Sequence, residues 1–154
     1  MTLRKLLFSL LILVATSTFA QIKVDQIEVN NKTRFITTVI GYPISGTYLF
    51  NNKKEPVIQL NENGSGIFQL HDKPQTAMTW GIECSNIGIP HITEGFNSAV
   101  YPLWYKNDGE DNWNEVQYSI HFSKMKMFIL GERVKSYTEE ELNANTANLK
   151  NKLK

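Results

Sequence analysis

Alternation of apolar and polar side chains with a period of two recurs along most of this chain, and it restricts the fold to sheets of half-buried strands. The clearest stretch runs from Trp113 to Phe122. Val116, Tyr118, Ile120 and Phe122 fall on one face, and Glu115, Gln117, Ser119 and His121 fall on the other. The same pattern marks residues 44–50, 56–60, 66–71, 76–84, 100–106, 125–130 and 133–137, which makes eight strands with that one. Between two of them, Asn61-Glu62-Asn63-Gly64-Ser65-Gly66 supplies residues that tolerate positive φ, so the flanking strands are expected to form a hairpin. Pro102 has no N–H to give to a ladder, so its strand is expected at an edge or with a bulge. The connections are short and no helical period separates the strands. That predicts an all-β fold, an antiparallel meander of about eight strands closed into a barrel or folded as a sandwich. Residues 22–29 and 34–40 add one or two further strands or cover an end of the barrel. Near the C-terminus, Thr138 and Glu141 form a capping box and Leu142, Leu149 and Leu153 recur on one helical face, so a short helix is expected from about residue 138.

The start of the chain has a different character. Arg4 and Lys5 precede an apolar run from Leu6 to Val14, and Thr18-Phe19-Ala20 offers a small-residue cleavage site, so residues 1–20 read as a signal peptide. The run is shorter than the roughly 20 residues that a membrane span needs. Cleavage would leave Gln21 at the terminus, where no cysteine is present for lipid attachment. The expectation is a periplasmic or secreted chain with no stable membrane insertion after cleavage. Loss of residues 1–20 leaves 134 of 154 residues, one domain by length, and removes two of the 16 Lys and Arg that face 15 Asp and Glu, taking the net charge from +1 to −1. A balance so close to zero argues against nucleic acid as a partner. Cys84 is the single cysteine, so no internal disulfide can form. Its place in step with Met78, Trp80 and Ile82 on an apolar strand face reads as an inert, buried thiol.

Two groups of residues are candidates for a binding site. Residues 85–99 form a connection longer than most hairpin loops, and they carry Ile87, Ile89, His91, Ile92 and Phe96 among glycine and proline. A segment of this kind serves as a lid, packing on its own barrel or meeting a ligand or partner at the barrel mouth. Trp80, Trp104, Tyr105 and Trp113 form the second group, since large aromatics commonly line concave binding surfaces. Trp80 alternates with Met78 and Ile82 and reads as core, whereas Trp113 follows the polar turn 107–112 and reads as rim. The candidate ligand-binding residues are therefore Ile87, Ile89, His91, Ile92, Phe96, Trp104 and Trp113.

Catalytic signals are weak by comparison. His71, His91, His121 and Glu83 show no metal-ligand spacing. Asp108, Glu110 and Asp111 crowd one turn, but their order departs from that of a calcium loop. No Gly-x-Ser-x-Gly elbow occurs, and Glu139, Glu140 and Glu141 supply acid to a helix N-terminus. No catalytic residue, metal or cofactor is assigned, and the chain reads as non-enzymatic.

Gly46-Thr47-Tyr48, at the start of the expected meander, resembles the Gly-x-Trp signature that opens the first barrel strand in lipocalins and fatty-acid-binding proteins, with Tyr in place of Trp. In lipocalins an Arg from near the last strand covers that ring, and Arg133 stands at the matching place. A cation over an aromatic face is a sound closure. The resemblance implies a calycin-like barrel with an interior cavity for a small apolar ligand. The order Gly-Thr-Tyr, Gly-rich hairpin, Trp-Gly-Ile-Glu-Cys and Gly-Glu-Arg is also similar to small secreted Bacteroidetes proteins of unknown function, a resemblance that implies no activity. Two functional expectations follow: an exported barrel that holds a small apolar or amphipathic ligand, or an envelope interaction module, of inhibitor or immunity type, that presents residues 85–99 to a protein partner. Ile89 and Phe96 folded over a pocket favour the first, and the same side chains turned outwards favour the second.

Overall fold

The computed structural model describes residues 22–50, 56–69, 73–124, 126–130 and 133–136. These residues form one antiparallel sheet of β1 (Asp25–Val29), β2 (Lys32–Thr37), β3 (Gly46–Phe50), β4 (Pro56–Leu60), β5 (Ser65–Phe68), β6 (Thr76–Cys84), β7 (Thr93–Gly95), β8 (Ser98–Asn107), β9 (Asn114–His121), β10 (Lys126–Ile129) and β11 (Arg133–Ser136). The eight strands that the alternation marks pair in sequence order, β3-β4-β5-β6-β8-β9-β10-β11. Arg133↔Phe50 and Val134↔Leu49 then return β11 to β3, so the meander closes into a barrel. No helix among the described residues is long and apolar enough to cross a membrane. The expected helix from about residue 138 lies outside them.

Strand β6 is the branch point. Its first half, Thr76 to Thr79, pairs with β5, and Ile82 to Cys84 pair with β2, while Met78 to Ile82 hold β8 along the opposite edge. The β1–β2 hairpin therefore grows from the far end of β6 and is not a member of the ring. Its turn is Asn30-Asn31 with φ of 50° and 60°, the left-handed pair that a two-residue hairpin turn requires. The two early segments are thus extra strands, and they lie against the outside wall of the barrel.

Inward side chains from the described strands fill the ring, since a strand turns every second residue to one face. Tyr48, Ile58, Leu60, Trp80, Ile82, Leu103, Tyr118, Met127 and Ile129 are buried together. The Tyr48 hydroxyl donates to the Ile44 carbonyl at 2.6 Å and lies 3.1 Å from the Tyr118 hydroxyl, which in turn meets the Met127 sulfur. Strands β3, β9 and β10 thus touch through side chains inside the lumen. The Trp80 indole N–H donates to the Ser65 carbonyl at 2.9 Å, tying the interior to the β4–β5 turn. Tyr48 is fully buried, and its phenol satisfies a carbonyl four residues away in the chain, Ile44. The Arg133 side chain lies outside the described residues.

Two expectations are corrected. Pro102 lies in neither an edge strand nor a bulge, because β8 pairs in unbroken register with β9 from Ser98↔His121 to Tyr105↔Asn114. The Gly95–Ser98 pair closes a two-residue turn, so Ser98, Val100 and Pro102 aim their backbone groups away from β9. On that side β7 stops at Val100 and β6 begins at Leu103, and the proline nitrogen falls in the gap. Residues 85–99 are likewise not a loop without structure, since they contain β7 and a bridge between Cys84 and Pro90.

Replacing Tyr48 by Phe removes one buried hydroxyl and leaves the Ile44 carbonyl without its donor. We expect a loss of about 1–3 kcal/mol in urea unfolding at an unchanged m-value. Tyr48→Phe unfolding at the parent midpoint would show that the hydroxyl contributes nothing.

Candidate functional site

The β1–β2 hairpin folds back over the barrel wall, where Ile27, Val29 and Ile36 cover Trp104 and leave Trp113 half-buried at the margin. Gly81 permits this approach, since a Cβ there would lie 2.8 Å from the Ile36 Cβ. Two residues further along β6, on the same outer face, stands Glu83. Its Oε1 accepts from Arg34 Nη1 at 2.7 Å and its Oε2 accepts from Trp104 Nε1 at 2.7 Å. His91 Nδ1 lies 3.3 Å from Oε1, and the His91 N–H donates to the Glu83 carbonyl at 2.8 Å. The Arg34 guanidinium also sits 4.9 Å above the Trp104 ring, although its Nε is buried without a hydrogen-bond partner. One carboxylate therefore joins β2, β6, β8 and the segment after β6.

That segment is tightly turned. Ser85 N–H donates to Ile89 O at 2.8 Å, Gly88 N–H to Ser85 O at 2.9 Å and Ile89 N–H to Ser85 Oγ at 3.1 Å. The β7–β8 hairpin then turns through Phe96 and Asn97, and Phe122 N–H donates to the Asn97 carbonyl at 2.9 Å. Built this way, the segment leaves its apolar side chains outside: Ile87 is 70 % exposed, Ile89 60 %, Ile92 46 % and Phe96 97 %.

Beside the turn, Gly88 has a φ of +85°, and a Cβ there would come within 3.0 Å of Ile22 and 3.1 Å of Val24. Residues 22–24 and the turn are pressed together. An open cleft of about 610 Å³ lies along this face, lined by Ile22, Val24, Gln26, Phe35, Asn86 and Ile87.

The candidate residues thus separate into three settings. Ile87, Ile89, Ile92 and Phe96 stand in solvent, with Ile87 also on the cleft, and none of the four covers the barrel interior. His91 and Trp104 meet at Glu83, and Trp104 is taken up by the hairpin, so no ligand can stack on it. Trp113 carries Lys106 Nζ 5.7 Å above its ring. Among the described residues no group of three or more His, Cys, Asp or Glu is placed to hold a metal ion. His71 lies outside them, and His121 packs edge-on against Phe128. Glu110 accepts from Asn107 and Asn114, which makes its acidic turn self-contained. Arg34, Ile22, Val24 and Phe35 escape the sequence reading. The available signal was Gly81, because a glycine inside a strand marks the close approach of another element.

Comparison with protein-family models, with curated proteins and with solved structures found no match.

Burial pushes the Cys84 thiol up to about 11, and the charge of the neighbouring Glu83 adds to the shift. We expect an alkylating reagent at pH 8 to leave the folded chain unmodified and to label it fully in denaturant, as fits a buried thiol. An unfolded chain ionises this thiol from about 9 and the fold only near 11, so stability falls as the pH rises across that interval. Replacing Glu83 by Ala leaves Arg34 and Trp104 without their acceptor, and we expect thermal or urea unfolding to show a loss of about 2–4 kcal/mol. Glu83→Gln keeps one acceptor oxygen and is expected to lose less.

Proposed function

We propose that this chain is an exported, non-enzymatic interaction module that presents residues 85–99 to a protein partner in the cell envelope. The observation that carries this reading is the outward placement of Phe96, Ile87, Ile89 and Ile92 on hydrogen-bonded turns. Four large apolar side chains left exposed within a short stretch of sequence support a surface that a partner covers. The first turn is tied to the barrel through His91 and Glu83 and the second through the bond from Phe122 to Asn97, and a rigid scaffold that displays a turn is a common basis for recognition. A small ligand inside the barrel is less well supported, because Tyr48, Tyr118 and Met127 meet in the lumen. Export rests on the leader-like residues 1–20.

A photo-crosslinking residue in place of Phe96 or Ile89, introduced in the native host, is expected to yield one discrete adduct. The same residue in place of Asp111, in the turn at the opposite end of β8, should yield none. Adding Ile87→Asp should abolish the adduct. Equal adducts at all positions, or none together with a bound small molecule of a few hundred daltons in native mass spectrometry, would overturn the proposal in favour of a ligand carrier.

A further inference from the structure

Among the described residues strand β1 has a free edge, whose hydrogen-bonding groups can be assigned from its turn. Val29↔Lys32 flanks the two-residue Asn30-Asn31 turn and is therefore a hydrogen-bonded pair, as are Ile27↔Arg34 and Asp25↔Ile36 in step with it. Gln26 and Glu28 occupy the alternate positions. Their N–H and C=O groups point away from β2, and among the described residues no backbone group meets them. The side chain of Gln26 lies on the same face as Phe35, its cross-strand neighbour, and both line the cleft with Ile22, Val24 and Ile87. A row of unpaired backbone groups thus borders a cleft to which Ile22, Val24, Phe35 and Ile87 supply apolar groups and Gln26 and Asn86 supply amides.

We propose that this edge binds an extended segment of a partner polypeptide as a twelfth strand, with apolar side chains at alternate positions seated in the cleft. The inference rests on the interaction-module reading and names the chemistry of its partner. Only another extended backbone supplies donors and acceptors at the spacing that Gln26 and Glu28 present. A strand added there turns every second side chain onto the face of Val24, Gln26 and Phe35, where the walls offer apolar contacts from Val24, Phe35 and Ile87. A second copy of this chain fits poorly, since its own β1 would lay Gln26 and Glu28 over those walls. Ile87 belongs both to the cleft and to the exposed set, so the added strand adjoins the surface already assigned to a partner.

The test is selection of phage-displayed random twelve-residue peptides on the purified chain, followed by fluorescence anisotropy with the enriched sequences. Enrichment of apolar residues at alternate positions is expected. Glu28→Pro removes an outward N–H and keeps the bonds to β2, and it should weaken binding at least tenfold, whereas Glu28→Ala should stay within about twofold. Independently of any variant, the Gln26 and Glu28 amides should exchange quickly with solvent in the free chain and slowly with peptide bound. Failure to enrich peptides, binders indifferent to Glu28→Pro, unchanged exchange at those amides, or a dimer that Glu28→Pro disrupts would each overturn the proposal. Glu28→Pro leaves Phe96 and Ile89 in place, so the crosslinking result separates failure of this inference from failure of the wider reading.

Discussion

The Glu83 carboxylate lies where three separately folded stretches of chain meet, and its two oxygens are divided among them. Arg34 comes from the hairpin, Trp104 from the barrel wall and His91 from the turn that follows β6. Without that shared acceptor the hairpin would keep three register pairs to β6 and a small apolar patch, which is little to hold two exposed strands. The Arg34 and Trp104 groups are taken out of water only because the carboxylate is there to receive them. Burial of Trp104, placement of the turn at Ser85 and the position of the cleft all depend on it.

Most of the barrel was legible in the alternation because strands such as β5, β9 and β10 have one wetter and one dry face. Val116, Tyr118, Ile120 and their counterparts in the other strands state which side faces in, and the ring closes in sequence order with no crossover to guess. The outer layer was harder to see. Alternation assigns Glu83 to the polar face of β6 correctly, but it cannot say that another part of the same molecule covers that face. Arg34 shares a strand face with Ile36, and a charge there is explained only once its partner 49 residues away is known. Residues 85–99 were misjudged for a related reason. Their turns are held by main-chain bonds and by a serine hydroxyl, which leave no periodic trace in side-chain hydropathy.

Pro102 shows how a local rule can point the wrong way when topology is unknown. A proline is excluded from a ladder only on the side to which its nitrogen points, and here two different neighbours share that side of β8 with a gap between them. The same change of partner along one strand occurs in β6. Both sites belong to the place where the ring gives way to its appendages.

That branching separates two inheritances within one sheet. The ring of eight strands closes through contacts that involve neither β1 nor β2, so its integrity does not require the hairpin. Selection can therefore lengthen, recharge or exchange the appended strands while the enclosed core stays constant. A chain built on this plan can change the surface of its hairpin while the ring that supports it stays as it was.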